Sequence, residues 1–80
     1  MPQVTLRLFA VARVAAGVGR DQLEADTVGA ALDGAVARYG AGFAEVLAGC
    51  RIWLNGEQAV PGDTVRDGDE VAVLPPVSGG

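Results

Sequence analysis

Glu70-Val71-Ala72-Val73-Leu74-Pro75-Pro76-Val77-Ser78-Gly79-Gly80 is the stretch on which the fold turns. In an extended chain Val71 and Val73 share one face, and Ala72 and Leu74 share the other. Apolar residues on both faces predict a central strand, covered on each side. Pro75-Pro76 must end it, because neither proline can donate to a ladder. Asp67-Gly68 just ahead is a turn signal. At the other end of the chain, Gln3 to Phe9 alternates Val4, Leu6 and Leu8 against Thr5 and Arg7. Period two over this length predicts a half-buried strand.

The segments between these two strands carry other periods. Ala10 to Ala16 is too rich in alanine for a strand and suits a short helix, closed by Gly17 and followed by Gly19. Gln22 to Ala25, anchored by Leu23, is a short edge strand whose neighbouring charges Asp21, Glu24 and Asp26 suit an exposed edge. Thr27 is positioned as an N-cap. After it, Val28, Ala31, Leu32, Ala35, Val36 and Tyr39 form one apolar helical stripe. Gly29 and Gly34 fall on the opposite face, each costing roughly 1 kcal/mol against alanine. Gly40 is a natural C′ residue. Phe43, Val46 and Leu47 repeat the helical spacing in a shorter piece that ends at Gly49. Arg51 to Leu54 is a further strand, Asn55-Gly56 is a strong hairpin signal, and Pro61-Gly62 is another turn.

The order predicts an α+β fold: a mixed four- or five-stranded sheet with one main helix on one face. First and last strands lying adjacent and parallel would match the ubiquitin-like β-grasp. The expected organisation is one β-grasp domain over 1–74 and an extended C-terminal Gly-Gly tail over 75–80.

Composition narrows the chemistry. The chain has 80 residues, no histidine, a single cysteine and a net charge of −4. All six of its basic residues are arginine. At this size a domain hides only about 60–65% of its unfolded surface, so its core is small. Without histidine and with one cysteine there is no metal site of the His/Cys kind, no Ser–His–Asp triad and no Cys–His pair. One cysteine makes no intrachain disulfide, so the fold does not depend on an oxidising compartment. An acidic chain with no basic stripe is a poor ligand for nucleic acid and gains nothing at an anionic membrane. The apolar N-terminal stretch is interrupted by Arg7 and Arg13, too early for a signal-peptide core or a spanning helix. A cytoplasmic location is expected.

What remains is the tail. Pro75-Pro76 stiffens its root, while Gly79 and Gly80 leave its tip bare, so that backbone enters where a Cβ would clash. Six extended residues reach roughly 20 Å. A stiff, uncharged stalk carrying a terminal carboxylate suits delivery into another protein's active site. Met1 at the start and the lack of a tag favour Gly80 as the natural end. Other candidates are weaker. Cys50 has no lysine or histidine nearby to lower its pKa and fits a small buried residue. Trp53 and Tyr39 suit packing. Asp63, Asp67, Asp69 and Glu70 could dock a basic partner or simply build turns. Gly17-Val18-Gly19 lacks the lysine and hydroxyl residue of a phosphate loop.

Three stretches carry a family resemblance: Val4-Thr5-Leu6-Arg7-Leu8-Phe9-Ala10, Leu54-Asn55-Gly56-Glu57, and Asp67-Gly68-Asp69-Glu70-Val71 with Pro75-Pro76-Val77-Ser78-Gly79-Gly80. Together they resemble the small, sulfur-carrier subunit of molybdopterin synthase, within the ubiquitin-like β-grasp sulfur carriers. The Gly-Gly end is common to all such carriers; the Gly-Asp-Glu-Val strand start followed by Pro-Pro-Val-Ser-Gly-Gly is much more specific to the molybdopterin branch. The chain departs at Val73-Leu74, where many relatives carry an aromatic residue before the prolines.

The resemblance implies a non-catalytic carrier with no bound cofactor. An adenylating enzyme would activate the Gly80 carboxylate with ATP, and a sulfur donor would convert the adenylate to a thiocarboxylate. The tail (Pro75, Pro76, Val77, Ser78, Gly79) would then enter the large subunit of molybdopterin synthase and give sulfur to cyclic pyranopterin monophosphate. The alternatives are a related carrier for cysteine, thiamine or thiolated-nucleoside synthesis, a ubiquitin-like protein modifier, or a plain interaction module. Lacking lysine, the chain cannot build lysine-linked polymers of itself.

Overall fold

The computed structural model describes residues 1–76. Five strands and three helices follow in the order β1 (Gln3–Leu8), α1 (Ala10–Ala16), β2 (Arg20–Glu24), α2 (Val28–Tyr39), α3 (Ala41–Ala48), β3 (Arg51–Leu54), β4 (Glu57–Gln58) and β5 (Glu70–Leu74). They form one mixed sheet of order β2-β1-β5-β3-β4. β1 and β5 lie side by side and parallel, with Leu6 beside Val71 and Leu8 beside Val73. β2 pairs antiparallel with β1, and β3 antiparallel with β5. This is the β-grasp arrangement, with the last strand at the centre of the sheet.

Registry explains the core. Val4, Leu6 and Leu8 of β1 share a face with Val71 and Val73 of β5, and all five are buried. Val28, Ala31 and Ala35 of α2, Phe43 of α3, Ala12 of α1, Leu23 of β2, Ala25 and Val65 join them in the core. Phe43 is fully buried, and Tyr39 meets its ring edge-on at 5.1 Å. Alanine dominates the helix face because a small residue lets α2 lie close to the sheet. Thr27 caps α2 as expected, its Oγ1 accepting from the Ala30 amide at 3.0 Å.

Several expectations need correction. β5 is central in the sheet, but only one of its faces is covered by helices. Ala72 and Leu74 point to the other face, where they are half-buried by sheet neighbours alone. β2 begins at Arg20, two residues before the predicted start, since an edge strand opening on Arg-Asp offers no apolar period to detect. Gly29 and Gly34 are not equivalent solvent positions. A Cβ on Gly29 would sit 3.0 Å from the carbonyl oxygen of Pro61, whose loop is held there by the Gly29 amide donating to that oxygen at 2.8 Å. A Cβ on Gly34 would make only ordinary contact with Leu23.

The hairpin follows its sequence signal. Asn55 and Gly56 both take positive φ, 50° and 85°, as a primed two-residue turn requires. Asn55 does more than turn the chain. Its side chain accepts from the Glu70 amide at 2.9 Å and donates to Asp69 Oδ1 at 3.0 Å, clamping the hairpin to the start of β5. The exposed edge of β2 is blunted by α2, where Arg38 donates to the Gln22 carbonyl at 2.7 Å, a device that discourages edge-to-edge pairing.

Candidate docking site at the tail root

Parallel pairing of β1 and β5 brings the ends of both strands to one end of the sheet. Phe9 continues the ladder by donating its amide to the Val73 carbonyl at 3.2 Å. β5 finishes at Leu74, Pro75 is half-buried and Pro76 is exposed. The proposed reactive group, Gly80, and the tail residues Gly79, Ser78 and Val77 lie outside the described residues. The centre of the sheet therefore anchors the root of the tail between two partner strands, where displacing it would break both ladders.

The surroundings of that root are apolar and basic. Phe9 is 37% exposed, and Val11 and Val14 on α1 are 48% and 80% exposed. The turn into α1 holds Ala10 at φ 50°, the left-handed region that a non-glycine residue seldom adopts. On the open face of the sheet, Arg7 lies 5.3 Å from the Phe9 ring centroid and pairs with Glu70 at 3.4 Å. Both charged side chains are more than a third exposed, so the pair contributes little stability.

No other chemistry assembles elsewhere among the described residues. Among the described residues no group of histidine, cysteine, aspartate or glutamate side chains could hold a metal ion. Burial pushes the Cys50 thiol above its ordinary value, and its Sγ donates to the Val46 carbonyl at 3.2 Å. That is a packed thiol, not an activated one. Gly17 ends α1 in the left-handed region at φ 82°, and Gly19 lies against the Arg13 side chain, so both have structural uses.

The acidic residues behave as turn builders. Asp67 Oδ1 accepts from the Gln3 amide at 2.8 Å, Asp63 Oδ2 from the Val60 amide at 3.0 Å, and Asp69 Oδ2 from the Arg66 amide at 2.8 Å. The Asn55 side-chain amide, followed by the Arg66 backbone amide, holds the Asp69 carboxyl below its ordinary value. A shallow polar depression of about 240 Å³, lined by Gln3, Thr5, Gln22, Asp67 and Gly68, lies toward the end away from the tail and contains no acid–base pair.

One polar latch went unread in the sequence. Tyr39 donates to Asp21 Oδ2 at 2.6 Å, and Arg38 meets the same oxygen at 3.0 Å. The Tyr39 hydroxyl, with the Gln22 amide and Arg38, lowers the Asp21 carboxyl. Burial and the bond to Asp21 push the Tyr39 phenol up to about 12. This fastens the end of α2 to edge strand β2. Only the adjacency of Arg38 and Tyr39 at the helix end hinted at it.

A β-grasp body that holds its last strand centrally defines the ubiquitin-like fold class. The sequence matches the ThiS family over residues 6–80, and the chain belongs to that family. Solved structures agree. SAMP1 from Haloferax volcanii is 34% identical with a TM-score of 0.85, covering 98% of this chain and 99% of that one. A complex of subunits 1 and 2 of molybdopterin-converting factor from Helicobacter pylori contains a chain 26% identical with a TM-score of 0.72, covering 98% and 99%. The BexX/CysO complex of Amycolatopsis orientalis contributes a likeness of fold alone, at 23% identity, TM-score 0.81, and coverage of 96% and 99%. No curated protein sequence matches significantly. The chain is a ubiquitin-like sulfur carrier of the ThiS type.

Proposed function

We propose that the chain is the sulfur-carrier subunit of molybdopterin synthase, acting in the cytoplasm without catalytic side chains of its own. The observation that carries the reading is the central β5 strand running into Pro75-Pro76 and then Val77-Ser78-Gly79-Gly80. A carboxylate is a poor electrophile until it has a leaving group. In this reading a Gly80 carboxylate oxygen attacks the α-phosphorus of ATP on an adenylating enzyme, and pyrophosphate leaves. A sulfide-level donor then displaces AMP, leaving a thiocarboxylate. The large subunit takes the tail, with Gly79 passing its narrowest point, and sulfur moves to cyclic pyranopterin monophosphate.

The Pro-Pro-Val-Ser-Gly-Gly context supports this acceptor over those of cysteine, thiamine or thiolated-nucleoside synthesis, as does the likeness to subunit 1 of the Helicobacter factor. Deleting Gly80 is expected to abolish molybdopterin formation by the reconstituted synthase while the circular-dichroism spectrum stays unchanged. Full activity of the deletion would refute the reading. A second reading, a protein modifier joined through Gly80, is favoured by the 34% identity to SAMP1. It predicts amide-linked adducts of higher mass in lysates supplied with ATP and the adenylating enzyme, and their absence would remove it.

A further inference from the structure

The strand directions gather arginine at one end of the sheet. β1 and β5 end there, while β2 and β3, both antiparallel to them, begin there. Arg20 stands directly opposite Arg7, and Arg51 directly opposite Leu74. All three arginines lie on the open face, in register with Ala72 and Leu74. Arg13 of α1 reaches the same end from the helix side, its Nε 3.1 Å from where a Cβ on Gly19 would sit. Four of the chain's six basic residues thus lie at the end of the sheet where β5 finishes, three on the open face and Arg13 on the helix side, in a chain whose net charge is −4.

Asp21 adjoins Arg20, but it lies on the helix side of β2, where it pairs with Arg38. Glu24 ends β2 and Asp26 follows it, and Asp63, Asp67 and Asp69 occupy the loops that lead to the far end of β5. Among the described residues, Arg7 and Arg38 are the arginines that form ion pairs, whereas Arg13, Arg20 and Arg51 form none. Arg7 facing Arg20 is also a like-charge pair across a ladder, which disfavours the fold. Among the described residues, the exposed pairing of Arg7 with Glu70 is the ion pair that relieves it.

We infer that this end is a basic collar that docks a protein partner whose surface around its tail-accepting slot is acidic. The inference rests on the reading of Gly80 as a group delivered into a partner, and it adds the partner's charge and the direction of approach. The composition fits an interface: arginines and Trp53 beside the apolar Phe9, Val11 and Leu74 match the residue types that anchor protein partners. Among the described residues, the open face thus carries its arginines at the end where β5 finishes. An acidic partner surface would therefore draw the chain in tail first, raising the association rate at low salt.

The test uses the whole chain with purified molybdopterin synthase large subunit and, separately, the adenylating enzyme. Emission from the chain's single tryptophan, Trp53 on the open face, reports docking. Arg20→Glu and Arg51→Glu change charge at the collar, and Arg66→Glu makes the same change at the far end as a control. Collar reversals are expected to slow association about tenfold at low ionic strength, with the difference shrinking as salt rises. Arg66→Glu should stay within about twofold of wild type. Unchanged circular dichroism would show that all three variants fold. Collar variants that bind like Arg66→Glu, with wild type binding well, would overturn the collar alone. Wild type that binds neither partner would overturn the functional reading, and the collar with it.

Discussion

The two faces of β5 make an internal comparison. Val71 and Val73 look into the core and are fully buried, while Ala72 and Leu74, one residue along, look out and are only half-buried. Sheet register demands the first pair, since each packs beside a β1 leucine and under a helix. Nothing within the described residues demands that the second pair be apolar. An open face holding Leu74 and Trp53 beside arginines lies outside the core, and its residue types are those enriched at protein interfaces.

The sharpest way to break this comparison uses one side-chain type on the two faces. Leu8 and Leu74 lie at the same end of the sheet on opposite faces. Leu8→Ala, like Phe43→Ala, is expected to cost about 2–5 kcal/mol in urea unfolding, enough to unfold much of a domain this small. Leu74→Ala should cost about 1 kcal/mol and weaken partner binding instead. Equal stability losses would mean that the outer face is part of the core after all.

The two helix glycines sharpen the same point at smaller scale. Gly34→Ala gains helix propensity at no steric cost and should stabilise by about 0.5–1 kcal/mol. Gly29→Ala should lose that gain, because its Cβ presses on Pro61 and the loop behind it must move. Thermal melting of the two variants checks the difference; matching shifts would show that the Pro61 loop yields freely.

The smallest effect is in the polar latch. The chain has one tyrosine, so ultraviolet titration reads Tyr39 without ambiguity. Its midpoint should lie near pH 12 rather than near the ordinary value of 10.0. A raised folded-state value favours the neutral phenol, so the stability it contributes is complete below pH 10 and is lost as pH rises toward about 12. Tyr39→Phe should flatten that decline, and an ordinary midpoint in wild type would show that the bond to Asp21 does not persist in solution.

Periodicity made β1, β5 and α2 legible in the sequence, because each buries one clean face. The Asn55-Gly56 turn was equally plain, since few residues tolerate positive φ. The clamp from Asn55 to residues 69 and 70 was not legible, being a contact fourteen residues distant that no local pattern encodes. The arginine collar was also hidden. Arg7, Arg20 and Arg51 are scattered in sequence and meet only when strand directions and registers are known. For Glu70 to Leu74, apolar character on both faces correctly signalled a central strand but misled about what covers it. An apolar residue left half-exposed on a sheet face looks the same in sequence as one that belongs to the core.

The carrier claim itself is tested most directly by mass spectrometry of the chain after incubation with ATP, an adenylating enzyme of this family and a sulfide source. Replacing one carboxylate oxygen by sulfur adds about 16 Da, nearly the same as oxidation at Met1 or Cys50, so the addition must be mapped by fragmentation. The account predicts the added mass on Gly80 as a thiocarboxylate. An unmodified Gly80, beside a known carrier that converts in the same mixture, would contradict it.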